Sequence, residues 1–177
     1  MSKVDSGRRA FLRGSLLTRK GRREEVQRQQ ALGPPPPWHQ GLGLADHCLD
    51  CPHPCIDACE PGIIQLHPVD HELAGIPFLD FSNSGCTFCR ACVEACPIEI
   101  EATADNRPVI GTAQLNRNSC IAWDDVICMT CSGRCDYGAV STAYQRRAQI
   151  DAEVCNGCGM CVAACPVNAL HIAVTTS

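Results

Sequence analysis

At 177 residues the chain has room for one moderate domain or two small ones, yet only 5% of it is aromatic, so rings cannot supply most of a core. Its 16 cysteines come without a long apolar segment: runs such as 62–64 and 167–174 fall far short of the ~20 residues a membrane helix needs. With no export signal read, a reducing cytoplasm is expected, where grouped cysteines signal metal rather than disulfides.

Charge is divided along the chain. Residues 1–30 carry nine Lys/Arg against Asp5, Glu24 and Glu25, a net of +6, which leaves six basic and 16 acidic side chains, net −10, for the other 147 residues. A basic arm on an acidic body predicts two separate contact surfaces; no nucleic-acid partner is expected. Residues 1–33 are read as that arm. Ser6-Gly7-Arg8-Arg9-Ala10-Phe11-Leu12-Arg13 looks like a twin-arginine export signal, but the apolar stretch after it is cut short by Arg19-Lys20-Gly21-Arg22-Arg23. Two uses remain open. Arg8, Arg9, Phe11, Leu12 and Arg13 form either a solvated tail or a short amphipathic helix that docks a partner, and such a helix can also lie on an anionic membrane surface. Pro34 to Pro37, within residues 34–43, predict a stiff extended spacer, with structured sequence from Leu44.

From there a unit of about 35 residues recurs four times. The first cysteine quartet is Cys48, Cys51, Cys55 and Cys59, with one residue more than the C-x2-C-x2-C-x3-C spacing and Glu60 after it. Stretches 62–66 and 76–80 flank a polar loop and predict a hairpin. The second quartet, Cys86, Cys89, Cys92 and Cys96, has the regular spacing and ends in Pro97. The third, Cys120, Cys128, Cys131 and Cys135, opens with an x7 gap and ends in Asp136. A second hairpin is expected from 139–144 and 148–151. The fourth quartet, Cys155, Cys158, Cys161 and Cys165, is regular, ends in Pro166 and leads into an apolar strand, 168–172.

Quartets two and four match the C-x2-C-x2-C-x3-C-P run that ligates iron–sulfur cubanes. Two-residue gaps let three thiolates converge from one curled loop while its N–H groups turn inward, and the fourth cysteine follows on a short helix that the proline stops. Zinc modules instead separate paired cysteines by a longer insert. The prediction is four [4Fe–4S] clusters held by the sixteen cysteines, a three-iron or more labile cluster being the alternative at quartets one and three, with quartet one the weakest because of its insert. His53 inside that insert reads as a solvated loop histidine. In two-cluster ferredoxins the fourth cysteine of each run reaches the other cluster. The 19 residues between Cys135 and Cys155 and the 26 between Cys59 and Cys86 favour pairing one with two and three with four; a nested pairing stays open. The fold expected is α+β and bacterial ferredoxin-like, in tandem two-cluster modules at 44–103 and 104–177. Four thiolates on a cubane leave no open iron position, and no phosphate, flavin or nicotinamide motif is present, so an electron carrier rather than an enzyme is expected.

The arm, the proline stretch ending at Trp38, the order of quartets, the Cys120-x7-Cys128 gap and the ending C-N-G-C-G-M-C-V-A-A-C-P-V-N-A-L together resemble the NapF-type ferredoxin-type accessory proteins of the periplasmic nitrate reductase system. The P-H-P insert of quartet one departs from that pattern. The resemblance implies a cytoplasmic four-cluster protein that binds the molybdenum-containing nitrate reductase catalytic subunit before export and helps load or reduce that subunit's own cluster. Two alternatives are a permanent electron-transfer subunit of another oxidoreductase complex and a binding chaperone whose clusters are only structural.

Overall fold

The computed structural model describes residues 32–39, 44–100, 102, 108–142 and 147–174. Its regular elements are all short. In chain order they are α1 (Leu44–Cys48), α2 (Pro54–Asp57), β1 (Ile64–Leu66), β2 (Pro77–Leu79), α3 (Ala91–Glu94), β3 (Thr112–Leu115), 3-10 turns at Ile121–Trp123 and Ser132–Arg134, β4 (Val140–Ser141), β5 (Gln149–Ile150), α4 (Met160–Ala163) and β6 (Leu170–Ala173). Among the described residues no helix is long and apolar enough to cross a membrane.

Three two-stranded antiparallel sheets result. Strands β1 and β2 pair Ile64 with Leu79 and Leu66 with Pro77, and β4 and β5 pair Val140 with Ile150; both hairpins fall between the quartets where the sequence predicts them. The third sheet is non-local. Strand β3 pairs with β6 from Thr112↔Ala173 to Leu115↔Leu170, so the connector before quartet three is tied to the chain after quartet four. No local turn signal announces that pairing.

The proline stretch departs from expectation. It is more than a stiff spacer, and ordered packing begins before Leu44. Pro36 and Pro37 are fully buried, the Leu79 N–H donates to the Pro34 carbonyl at 2.8 Å, and a Cβ on Gly33 would lie 2.2 Å from the Leu79 carbonyl oxygen. A run without N–H groups can cap one edge of β2 while offering no further ladder, which blunts an edge strand. His67 fixes the start of this segment. Its Nδ1 bonds the Ile76 carbonyl at 2.7 Å, and its Nε2 accepts the Leu32 N–H at 3.1 Å. That pairing requires the neutral ring with its proton on Nδ1. Burial lowers the His67 pKa first; the Ile76 bond opposes this and His71 adds to it.

Two apolar clusters form the core. One joins Ile63, Ile64, Leu79, Phe81, Phe88, Val93 and Ile110 with Cys55, Cys92 and Cys158; the other joins Ala113, Val140, Ala148 and Leu170 with Cys131 and Cys161. Cysteines thus occupy core positions that rings fill elsewhere.

Candidate metal centres

The cysteine loops repeat a local geometry. The residue two before the third cysteine is left-handed in quartets one, two and four: His53 (φ 57°), Arg90 (φ 70°) and Gly159 (φ 80°). Each N-caps a four-residue helix that carries the third cysteine. Positive φ is uncommon for a residue with a Cβ, and such strain concentrates at functional sites. The extra residue of quartet one is absorbed ahead of His53, so the loop still delivers Cys55 on its helix. Three residues after the fourth cysteine a second left-handed residue closes a turn. Gly62, Gly138 and Asn168 donate their N–H groups to Cys59, Cys135 and Cys165 respectively, and the first two bonds measure 2.8 and 3.1 Å. Quartet three differs: its third cysteine precedes a 3-10 turn rather than an α-helix, and its long gap holds a second 3-10 turn, with Asp125 left-handed.

These loops bring the sixteen cysteines into four groups, and each group draws on two quartets. Cys48, Cys51 and Cys55 meet Cys96 (site 1). Burial first, then Cys51 and Cys96, raise the Cys48 thiol; burial, then Cys96, Cys48 and Cys51, push Cys55 up to about 11. Cys86, Cys89 and Cys92 meet Cys59 (site 2) around one pocket. Here burial, then Cys86, Cys59 and Cys89, push Cys92 up to about 12. Cys155, Cys158 and Cys161 meet Cys135 (site 3) around a second, and Cys161 is pushed up to about 12 by burial, then by Cys158, Cys155 and Cys135. Cys120, Cys128 and Cys131 meet Cys165 (site 4) around a third. Each group thus combines three thiols of one quartet with the fourth of another, quartet one with two and three with four.

The donor set suits a cluster. Each site has at least one thiol that accepts a backbone N–H: Cys51 from His53 (3.4 Å), Cys86 from Phe88 (3.4 Å), Cys155 from Ala113 (3.3 Å) and Cys165 from Ala169 (3.2 Å). Such bonds favour the thiolate over the thiol. At sites 2, 3 and 4 the four thiols line a common pocket, as a multi-iron body held by thiolates requires. Burial raises the pKa of Cys48, Cys55, Cys86, Cys92, Cys131, Cys158 and Cys161, so these seven thiols stay protonated at neutral pH until metal displaces the protons.

His53 is not the solvated histidine expected from its loop. Its Nε2 is buried without a hydrogen-bond partner, between the site 1 ligands Cys51 and Cys55 in sequence. An orphaned buried nitrogen is costly, and a sulfide-bearing group in this loop offers the kind of acceptor the protein lacks. The Arg90 guanidinium turns to the Ala102 carbonyl at 3.4 Å beside site 2. The arm residues Arg8, Arg9, Phe11, Leu12 and Arg13 lie outside the described residues.

Comparison with known proteins agrees with this geometry. A family profile described as a 4Fe-4S dicluster domain matches residues 47–100, the span of quartets one and two, and one described as a 4Fe-4S binding domain matches 148–171. The "Ferredoxin-type protein NapF" of Escherichia coli (strain K12) is 33% identical over 180 residues, covering 95% of this chain and 94% of its own. The protein of the same name in Haemophilus influenzae is 33% identical over 168 residues, covering 92% and 91%. "Ferredoxin-type protein NapG" of E. coli K12 is 26% identical over 196 residues, covering 93% and 83%. Sequence, cysteine geometry and relatives agree, and the chain belongs to the NapF family of 4Fe-4S ferredoxin-type proteins.

Proposed function

We propose that the chain is a cytoplasmic electron carrier with four [4Fe–4S] clusters, one in each four-cysteine site. In this reading it serves the maturation of the periplasmic nitrate reductase catalytic subunit before that subunit is exported. The observation that carries the reading is the exchange of fourth cysteines, which builds four similar thiol-lined sites from four loops. Bound at such a site, a cubane supplies reversible one-electron storage, and four thiolate ligands leave no iron open to a substrate. The chain's own part is to hold, shield and tune. Backbone N–H groups of His53, Phe88, Ala113 and Ala169 stabilise thiolate charge. Ile63, Ile64, Leu79 and Phe88 keep water from site 2. The partner, the molybdenum-containing nitrate reductase subunit, is inferred from membership of the NapF family, and the basic arm is the surface proposed to meet it.

The test has two parts. Anaerobic iron and sulfide analysis should approach about 16 Fe per chain, four for each cubane; about 12 or fewer would overturn the four-cluster reading. The iron-loaded chain should then retain the nitrate reductase precursor in a pull-down, and a chain lacking residues 1–30 should retain less. Failure of the fully loaded chain to retain it, with capture of another oxidoreductase in its stead, favours a permanent electron-transfer subunit.

A further inference from the structure

Sites 2 and 3 belong to different quartet pairs, yet their loops are in direct main-chain contact. The Cys86 N–H donates to the Cys158 carbonyl at 2.7 Å, and the Ile110 N–H to the Asn156 carbonyl at 2.9 Å. Glycines make the approach. A Cβ on Gly85 would lie 2.5 Å from the Met160 nitrogen and 2.7 Å from the Cys158 oxygen; one on Gly157 would lie 2.5 Å from Gly111, and one on Gly159 would lie 2.2 Å from the Phe81 ring. Gly157 and Gly159 also need positive φ, but Gly85 does not, so proximity alone excludes a side chain there. Phe88 of the site 2 loop meets Tyr137, two residues beyond the site 3 ligand Cys135, edge to face at 6.4 Å. Outside this junction, helix α2, which carries Cys55 of site 1, packs on α3, which carries Cys92 of site 2, and Cys131 of site 4 shares a buried cluster with Cys161 of site 3. The sites therefore stand in single file: 1, 2, 3, 4.

We infer that the Cys86 N–H to Cys158 carbonyl bond is the electron junction between the two halves of the chain, that Gly85 is its positioning residue, and that the four centres form one series with sites 1 and 4 at its ends. Each transfer moves one electron: the centre at one site is oxidised by one, its neighbour is reduced by one, and no bond or proton is exchanged. A low-potential one-electron reductant fills the series from either end. Two ligand cysteines joined by one hydrogen bond give a short path through bonds between the inner centres, which a through-space gap of the same length does not. The inference rests on the four-cluster reading above, and its test separates the two.

Gly85→Ala is compared with Gly133→Ala, where an added Cβ meets nothing within 4 Å. Iron content, electron paramagnetic resonance of the dithionite-reduced protein and the rate of electron equilibration after flash photoreduction are measured on each. Wild type and Gly133→Ala should show magnetic interaction between the inner centres. Gly85→Ala, with iron unchanged, should lose that interaction and equilibrate between halves at least ~10-fold more slowly. Iron well below about 16 in the wild type overturns the four-cluster reading; full iron with interaction and rate unaltered in Gly85→Ala overturns the junction. Ligand-removal variants decide the order whether or not Gly85→Ala folds. Removing Cys86 and Cys89 should leave site 1 magnetically isolated while sites 3 and 4 still interact, whereas removing Cys48 and Cys51 should leave 2, 3 and 4 coupled. Coupling of site 1 to site 3 without site 2 overturns the series.

Discussion

Exchange of the fourth cysteines makes a prediction that runs against the order of the chain. Cys51 and Cys96 lie 45 positions apart in different quartets but belong to one site, while Cys51 and Cys59 share a quartet but serve different sites. Replacing Cys51 and Cys96 together by Ala therefore removes two of four ligands from site 1 and none from site 2. Three full cubanes should remain, about 12 of about 16 Fe. Replacing Cys51 and Cys59 instead leaves three ligands at each of two sites, so two full cubanes should remain. Spin integration of the reduced protein counts intact cubanes directly, even if a damaged site retains three irons. Anaerobic alkylation with mass-spectrometric mapping identifies the released thiols. They should be Cys48 and Cys55 in the first variant, with Cys86, Cys89, Cys92 and Cys59 protected. Should the first variant lose two cubanes and the second only one, each quartet serves its own cluster and the exchange is refuted.

Replacing His67 by Leu removes one buried and one part-buried hydrogen bond, and at roughly 1 kcal/mol each the cost is about 2 kcal/mol, read from chemical denaturation. Because its folded pKa is depressed, His67 contributes stability that is present above its ordinary value near 6.5 and lost as pH falls below it. The wild-type denaturation midpoint should thus drop between pH 7 and 5, and less so in the variant; buried His39, depressed chiefly by burial, gives the residual slope. Gly33→Ala drives a methyl against the Leu79 carbonyl and should cost ~1–3 kcal/mol, whereas a thermal midpoint equal to wild type would mean that the proline segment does not seat on β2. Removing iron with a chelator should abolish the cooperative unfolding transition by circular dichroism; a folded, cooperative apo-protein would refute coupling of fold to metal.

What the sequence announces is what is encoded locally. Both hairpins between quartets are bounded by turn residues and apolar strand runs, and the C-x2-C-x2-C-x3-C-P spacing dictates a loop and a short helix. The left-handed positions before the third cysteine are visible only where glycine fills them: Gly159 signals its conformation, but His53 and Arg90 do not. The pairing of β3 with β6 spans about half the described chain, and alternation over four residues cannot name a partner that far away. Proline composition suggests a spacer because an isolated proline run is stiff and extended. The same stiffness and missing N–H groups suit it to capping a sheet edge, and which use applies depends on what packs against it. The Cys86–Cys158 contact was equally hidden, since glycine at position 85 is silent until the opposing loop is in view.

The same geometry bears on whether the clusters are more than core filling. Helices of four or five residues and strands of two to four have no independent stability in water, so metal held by four thiolates is the natural source of the missing energy, and a scaffold role accounts for that much. It does not account for the arrangement. Filler bodies need only be dispersed through the core, and nothing in packing demands that they stand in single file. Nor does packing demand that glycines clear a main-chain bond between ligands of the two inner sites, or that Trp38, Phe88 and Tyr137 stack edge to face beside the innermost contact at 6.2 and 6.4 Å. A chain this poor in rings has placed three of its eight at one junction. Continuity between sites is a requirement of electron relay and of no purely structural role, so a variant that keeps its iron and fold but loses passage between the halves separates the two directly.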